Sequence, residues 1–280
     1  MTRHSRSGAR ICQGCGRLIG GDLAACPYCS RRQAGSGWRA WLAFDDKGDP
    51  ARPVRLLIAA NVIMFILSIL IDPRLSSFSP FEFLAPTNRS LLVLGSTGSL
   101  PLWEMGRWWS LVAAGFLHGG LLHLLFNMLA LRQLAPLMLR EFGIERTIVI
   151  YSLGSIGGFL VSALAGVNLT IGASAAICGL IGALLYYGRS RGGTYGAAVF
   201  SQIGGWAVGI ALFGFLFPGI NNWGHGGGMA VGALIAWLLG YRELRRETAA
   251  MGLVARICII ATVLVLAWSV LNGLAFLVLT

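Results

Sequence analysis

Charged side chains are scarce in this sequence. Only 12% of its 280 residues are Asp, Glu, Lys or Arg, whereas soluble domains carry about 25%. Apolar residues make up 56% of the chain, and 39 residues are glycine. This composition excludes an ordinary soluble domain and is typical of helices packed in lipid. We therefore expect an all-α polytopic membrane protein.

Acidic residues are missing from the long apolar runs. A helix that crosses the hydrocarbon core needs about 20 predominantly apolar residues. Windows of that length predict seven spans, near residues 54–71, 114–135, 146–166, 173–189, 197–217, 223–240 and 254–278. All eleven acidic residues lie outside these windows. A transporter or channel would need charged or cation-coordinating groups within the membrane and often an internal repeat, and we find neither a carboxylate in the spans nor a repeat.

The first 53 residues lack an apolar run. We therefore expect no cleavable signal peptide, and insertion that begins with an internal span. The net charge is +11, and the basic residues are clustered along the chain. All except Arg74, Arg89 and Arg107 lie before residue 56 or in the segments 132–146, 189–191 and 242–256. The loops 167–171 and 218–222 carry none. By the positive-inside rule, the N-terminus lies in the cytoplasm and the C-terminus outside, across an inner or plasma membrane.

Four of the six cysteines lie in the polar head, as the pairs Cys12-x2-Cys15 and Cys26-x2-Cys29 with ten residues between them. Two such turns typically close a tetrahedral four-thiolate zinc site. Two disulfides are the alternative, but they require an oxidising compartment, and the charge distribution places the head in the cytoplasm. Four protein ligands leave no open position, so the predicted zinc is structural.

The head is predicted to consist of a zinc ribbon at residues 1–35 and a basic juxtamembrane linker at residues 36–53. A basic stretch beside a span is expected to contact anionic lipid headgroups of the bilayer. No specific feature supports binding of nucleic acid. The rest of the chain is predicted to form a core of six spans at residues 54–240, followed by a linker and a seventh span at residues 241–280.

Polar residues within or at the mouth of the spans are the candidates for chemistry, because such groups are costly in lipid and usually functional. His123 and Asn127 lie four residues apart on the second span and so share one helix face. Ser174 opens the fourth span after Gly172 and Ala173, and His225 opens the sixth. With no carboxylate in a span, the inventory permits a two-residue Ser-His site but no full triad.

Small residues suggest how Ser174 and His225 come together. The sixth span carries glycine at positions 224, 228 and 232, and the fourth carries Ala175, Gly179 and Ala183 at the same spacing. Ridges of this type allow close helix packing in membranes. If the two ridges meet, Ser174 and His225 lie at the same depth near the outer face.

These motifs resemble the rhomboid family of intramembrane serine proteases. The family is marked by His-x4-His-x3-Asn on the second span, Gly-x-Ser-Gly at the start of the fourth, and His followed by Gly-x3-Gly on the sixth; here the first motif begins at His118. The resemblance covers residues 54–240 and implies a six-helix bundle with an outward cavity, with the seventh span as an added C-terminal helix. It also implies an endopeptidase that cleaves membrane protein substrates without a cofactor at the active site.

The resemblance implies a role for each site residue. Ser174 is the nucleophile and His225 its general base. His123 and Asn127 stabilise the oxyanion together with the backbone N–H of Ser174. His118 matches the first motif histidine and is interpreted as structural.

Three positions depart from the family pattern. Ala175 replaces the glycine after the serine, and Cys178 stands where an aromatic residue often stacks on the histidine. Ser110 replaces the arginine of a Trp-Arg pair in the long loop between the first two spans. Two alternatives therefore stay open: an inactive rhomboid-like protein that binds transmembrane segments, and a helical scaffold for the zinc ribbon. Retention of both Ser174 and His225 favours the protease.

Overall fold

The chain divides into two compact units, Met1–Arg52 and Pro53–Thr280. A computed structural model describes residues 9–12, 17–20, 26–29, 52–73, 83–217, 219–245 and 248–279. Most of the predicted ribbon, including Cys15, and the predicted linker up to residue 51 lie outside the described residues.

The first unit contains a small antiparallel hairpin. Strand β1 (Ala9–Ile11) pairs with β2 (Leu18–Gly20), with Arg10 opposite Ile19. Just after β1, the Cys12 N–H donates to the Arg17 carbonyl at 2.8 Å. This bond continues the strand pairing by one residue, with Cys12 opposite Arg17.

The second unit is helical. Its helices are α1 (Arg52–Ile71), α2 (Asn88–Val93), α3 (Ser110–Ala113), α4 (Leu121–Glu141), α5 (Ile144–Leu164), α6 (Ser174–Arg191), α7 (Gly193–Leu216), α8 (Asn222–Leu239) and α9 (Ala249–Leu279). A π-helical turn at Leu100–Glu104 and a 3₁₀ turn at Ala114–Phe116 lie in the loop between α1 and α4, which we call the outer loop. The all-α polytopic fold class is thereby confirmed.

Among the described residues, five helices are long and apolar enough to cross a membrane: α1, α4, α5, α7 and α9. The other two long helices, α6 and α8, have 18 residues each and carry the candidate serine and histidine. Their glycines and polar residues dilute the apolar character that a lipid-facing helix needs. Both lie where the sequence predicts the fourth and sixth spans.

The second span begins later than predicted, at Leu121 instead of residue 114. The 3₁₀ turn at Ala114–Phe116 and two glycines, Gly119 and Gly120, interrupt the apolar run before α4.

Helix α4 extends to Glu141, which is buried. Tyr187 and Tyr195 each donate a hydrogen bond of 2.7 Å to the Glu141 carboxylate. A window of apolar residues does not detect a carboxylate that is stabilised in this way. The prediction that all acidic residues lie outside the spans is therefore wrong at the helix ends.

Helices α5, α6 and α8 form the centre of the helical unit. The predicted ridges meet there: a Cβ added to Gly228 would lie 2.3 Å from the Ala175 carbonyl oxygen, and one added to Gly232 would lie 2.0 Å from that of Gly179. Only hydrogen fits at either position. The close crossing brings the N-termini of α6 and α8 together.

The outer loop is tied to the segment before α6. Thr97 and Thr170 exchange two backbone hydrogen bonds, of 3.1 and 2.6 Å. On the other side, Ser269 of α9 donates to the carbonyl of Leu94 at 2.6 Å. Arg107 donates to the Leu92 carbonyl at 3.0 Å, so an arginine braces this loop although the Trp-Arg pair is absent.

Candidate active site

Ser174 is the first residue of α6. The first N–H groups of a helix have no carbonyl partner within it, so the backbone N–H of Ser174 is available to an acceptor outside the helix. The serine is partly exposed, whereas Ala173 and Ala175 beside it are buried. A hydroxyl group and a backbone donor are thus presented at one point.

His225 lies in the first turn of α8, and its Nε2 atom is 2.9 Å from the Oγ atom of Ser174. The helix crossing creates this contact between residues 51 positions apart in the chain. The other ring nitrogen, Nδ1, is buried and has no hydrogen-bond partner among the described residues. Among the described residues, Ser174 is therefore the one side-chain hydrogen-bond partner of the imidazole.

Gly172 separates Ser174 from His123. Its φ angle is +119°, a conformation that favours glycine, and its N–H donates to the Ala114 carbonyl at 2.9 Å. A Cβ at this position would lie 2.8 Å from Nε2 of His123 and 3.6 Å from the Ser174 Oγ atom. His123 and the serine hydroxyl therefore flank the same face of Gly172.

His123 is held at its other ring nitrogen. The Gly119 N–H donates to Nδ1 of His123 at 3.3 Å, so Nδ1 is an acceptor and the neutral ring carries its proton on Nε2. This tautomer presents a donor toward Gly172 and Ser174. The arrangement suits a group that hydrogen-bonds an oxyanion.

Asn127 is buried one turn further along α4, and its Nδ2 atom donates to the carbonyl of His123 at 2.8 Å. The sequence predicts two donors aimed at one place, but here one amide hydrogen is taken up by the helix backbone. An amide nitrogen carries two hydrogens, so one remains for another acceptor.

His118 lies before α4 and is fully buried, with its ring edge against His123 at a centroid distance of 5.0 Å. Burial, reinforced by His123, holds the pKa of His118 well below its usual range. A neutral imidazole packed behind His123 fits the predicted structural role.

Three polar residues that belong to none of the sequence motifs meet just before α8: Asn221, Ser162 and Thr170. Asn221 caps α8 and bonds to both hydroxyl groups. An asparagine directly before a helical run is a recognisable N-cap signal, but its two partners come from other segments and leave no local pattern.

Known proteins share sequence with this chain over much of its helical unit. A family model described as Rhomboid domain matches residues 105–242. RHOMBOID-like protein 5 of Arabidopsis thaliana is 30% identical over 224 residues, which cover 72% of this chain and 68% of the relative. The chain belongs to the rhomboid family. It is accordingly an integral, multi-pass membrane protein of rhomboid type.

Other rhomboid relatives differ in length. RHOMBOID-like protein 4 of Arabidopsis thaliana is 30% identical over 200 residues, or 65% of this chain and 51% of the relative. Rhomboid protease GluP of Bacillus subtilis is 34% identical over 154 residues, or 55% of this chain and 30% of the relative. This rhomboid thus spans about half or less of the length of these two relatives, and membership supports an intramembrane protease or a rhomboid-like function.

Ala175 and Cys178 are accommodated in this rhomboid by packing. The Ala175 methyl group lies in a buried cluster with Leu102, Phe159 and others, and Gly158 of α5 leaves the room for it. Cys178 is buried on α6. The methyl group that departs from the family motif is therefore packed against α5 side chains.

A second candidate site lies in the first unit. The sulfur atoms of Cys12, Cys26 and Cys29 all lie within 4.8 Å of one another, and those of Cys12 and Cys29 are 3.7 Å apart. No disulfide joins any two of these three cysteines. Tetrahedral zinc with sulfur ligands at about 2.3 Å requires sulfur atoms about 3.8 Å apart, so this cluster fits a metal ion.

Proposed function

We propose that this rhomboid is an intramembrane serine endopeptidase that uses a dyad of Ser174 and His225. The observation that carries the proposal is the 2.9 Å contact between the Ser174 Oγ atom and Nε2 of His225. A nucleophile within hydrogen-bond reach of a base is the basic requirement of acyl-transfer catalysis. The multi-pass fold supports protein substrates that lie in or beside the membrane.

In the proposed reaction, Ser174 Oγ bonds to the scissile carbonyl carbon while its proton passes to Nε2 of His225. The resulting imidazolium then donates that proton to the leaving amine as the carbon–nitrogen bond breaks. Water, deprotonated by His225, attacks the acyl-enzyme, and the proton returns to Ser174 when the acid product leaves.

The oxyanion formed in each step needs donors on the other side of the carbonyl. We assign this role to the backbone N–H of Ser174, the Nε2–H of His123 and the remaining amide hydrogen of Asn127. Loss of one such donor typically lowers kcat by about 10²–10³-fold.

The charge distribution supports a cytoplasmic N-terminus and an outer C-terminus, with the active site opening to the outer face of an inner or plasma membrane. In this orientation, the cysteine cluster faces a reducing compartment. We propose that Cys12, Cys15, Cys26 and Cys29 hold a structural zinc ion, which would supply folding energy to a segment too small for its own core.

The first experiment is cleavage of a reporter transmembrane substrate in membranes. We expect Ser174→Ala and His225→Ala to lose at least about 10³-fold in rate at matched expression, because each removes a partner of the dyad. Ser201→Ala is the matched control, since Ser201 is exposed on α7. It should cleave like the wild type.

Two results would contradict the proposal. Cleavage that persists in Ser174→Ala and is insensitive to serine-directed fluorophosphonates would assign the chemistry to other residues. A wild type that cuts none of several reporters, yet still captures transmembrane segments in crosslinking, would favour the inactive rhomboid-like protein.

A further inference from the structure

We infer that Asn221 is the positioning residue of the catalytic histidine; the inference rests on the proposed dyad. His225 has no orienting partner on Nδ1 among the described residues. The hydrogen bond to Ser174 is the one that the described residues give this ring, so its approach to the serine depends on where the first turn of α8 is held. Asn221 stands one turn before His225, at the N-cap of α8.

Both the oxygen and the nitrogen of the Asn221 side-chain amide form hydrogen bonds. Its oxygen accepts a hydrogen bond from the Gly224 N–H at 2.9 Å, which closes the first turn of α8. Its amide nitrogen donates to Ser162 Oγ at 2.5 Å and to Thr170 Oγ1 at 2.8 Å. The carbonyl of the same residue accepts from the backbone N–H of His225 at 3.1 Å.

The two hydroxyl partners belong to different parts of the site. Ser162 is fully buried on α5, and Thr170 lies in the segment that leads to Gly172 and Ser174. Asn221 therefore connects the backbone of His225 to the segment that leads to Ser174. Because Thr170 is also paired with Thr97, the same contact is continuous with the outer loop.

The geometry assigns to Asn221 an effect on the chemical step. A shift of about 1 Å in a catalytic group can cost 10²-fold in rate. Without the side chain, the first turn of α8 loses its cap and its links to α5 and to the segment before α6. His225 then samples positions away from the Ser174 Oγ atom.

The test compares three variants of the full-length protein in detergent or vesicles. Asn221→Ala should lower kcat by about 10- to 100-fold with KM little changed. Asn221→Asp should recover most of that loss, because a carboxylate still accepts from the Gly224 N–H and, in place of the two amide N–H donations, can accept from the hydroxyl groups of Ser162 and Thr170. Asn222→Ala is the control, since the Asn222 side chain packs against Gly214 of α7 instead.

Two further measurements separate positioning from stability. Labelling of Ser174 by a small fluorophosphonate needs the base but no substrate recognition, so its rate should fall in parallel with kcat in Asn221→Ala. Thr170→Val should lower kcat less than Asn221→Ala does, and should have no further effect when combined with it, because the two residues act through one bond.

The inference is overturned if Asn221→Ala keeps the wild-type kcat and labelling rate, or if it reduces only the amount of folded protein while kcat per folded molecule is unchanged. A wild type that neither cleaves nor labels would be a different failure. It would remove the proposed function, and the inference would fall with it.

Discussion

At the scale of single residues, Gly172 links backbone conformation to the shape of the site. Its positive φ angle directs the chain from the Thr97–Thr170 pair into α6, and its missing side chain leaves room for the His123 ring. No other residue type satisfies both requirements, since a Cβ would overlap the imidazole.

We predict that Gly172→Ala lowers the rate of cleavage by at least about tenfold, because the methyl group displaces His123 from the oxyanion position. Gly166→Ala is the matched control: Gly166 lies in the same loop with φ +81°, but nothing lies within 4 Å of its added Cβ. Both variants place an alanine at a positive φ angle, which costs about 1–3 kcal/mol. The measurements are cleavage rate and thermal unfolding, and equal rates in the two variants would refute the steric role of Gly172.

At the scale of elements, the crossing of α6 and α8 determines whether a site exists. Glycines on both helices let backbone carbonyls approach where side chains would keep the axes apart. The two helices that form this crossing carry Ser174 and His225 in their first turns. The spacing between the axes therefore sets the distance between nucleophile and base.

Gly232→Ala should separate these helices, destabilise the protein by about 1–3 kcal/mol and reduce cleavage, because its Cβ would overlap the Gly179 carbonyl. Gly226→Ala on the same helix should have the opposite effect on stability. Its Cβ meets nothing within 4 Å, and alanine favours a helix over glycine by about 1 kcal/mol. Thermal unfolding in detergent checks both signs; a stabilising Gly232→Ala would show that α6 and α8 do not pack this closely.

At the scale of the whole molecule, the cysteine cluster and the proposed dyad lie in separate compact units. Zinc is predicted to fold the first unit, whereas none of the proposed catalytic residues lies there. Metal and cleavage should therefore be separable.

We expect purified protein to contain about one zinc ion per chain, and Cys12→Ser combined with Cys29→Ser to lose it. Cys258→Ser is the control, because Cys258 lies on α9 outside the cluster. Metal content by mass spectrometry gives the first readout, and cleavage of the reporter should persist in the metal-free variant. Loss of cleavage together with the metal would instead make the ribbon a regulator of the protease.

The sequence by itself determined the class of the protein and the identity of its candidate groups. These properties can be read along the chain without knowledge of the fold. They are the apolar runs of membrane-spanning length, the scarcity of charge and the positions of His123, Asn127, Ser174 and His225 in those runs. The small-residue ridges also predicted which helices meet, because residues four apart lie on the same face of a helix.

Only the tertiary structure decided what holds these groups. The start of α4 at Leu121, the buried Glu141 and the contacts of Asn221 depend on partners far away in the chain, such as Tyr187 and Thr170. Whether a polar side chain is tolerated in an apolar setting depends on the hydrogen-bond partners that folding brings to it. Such partners leave no periodic signal, so the residues that orient the site emerge only when the helices are packed.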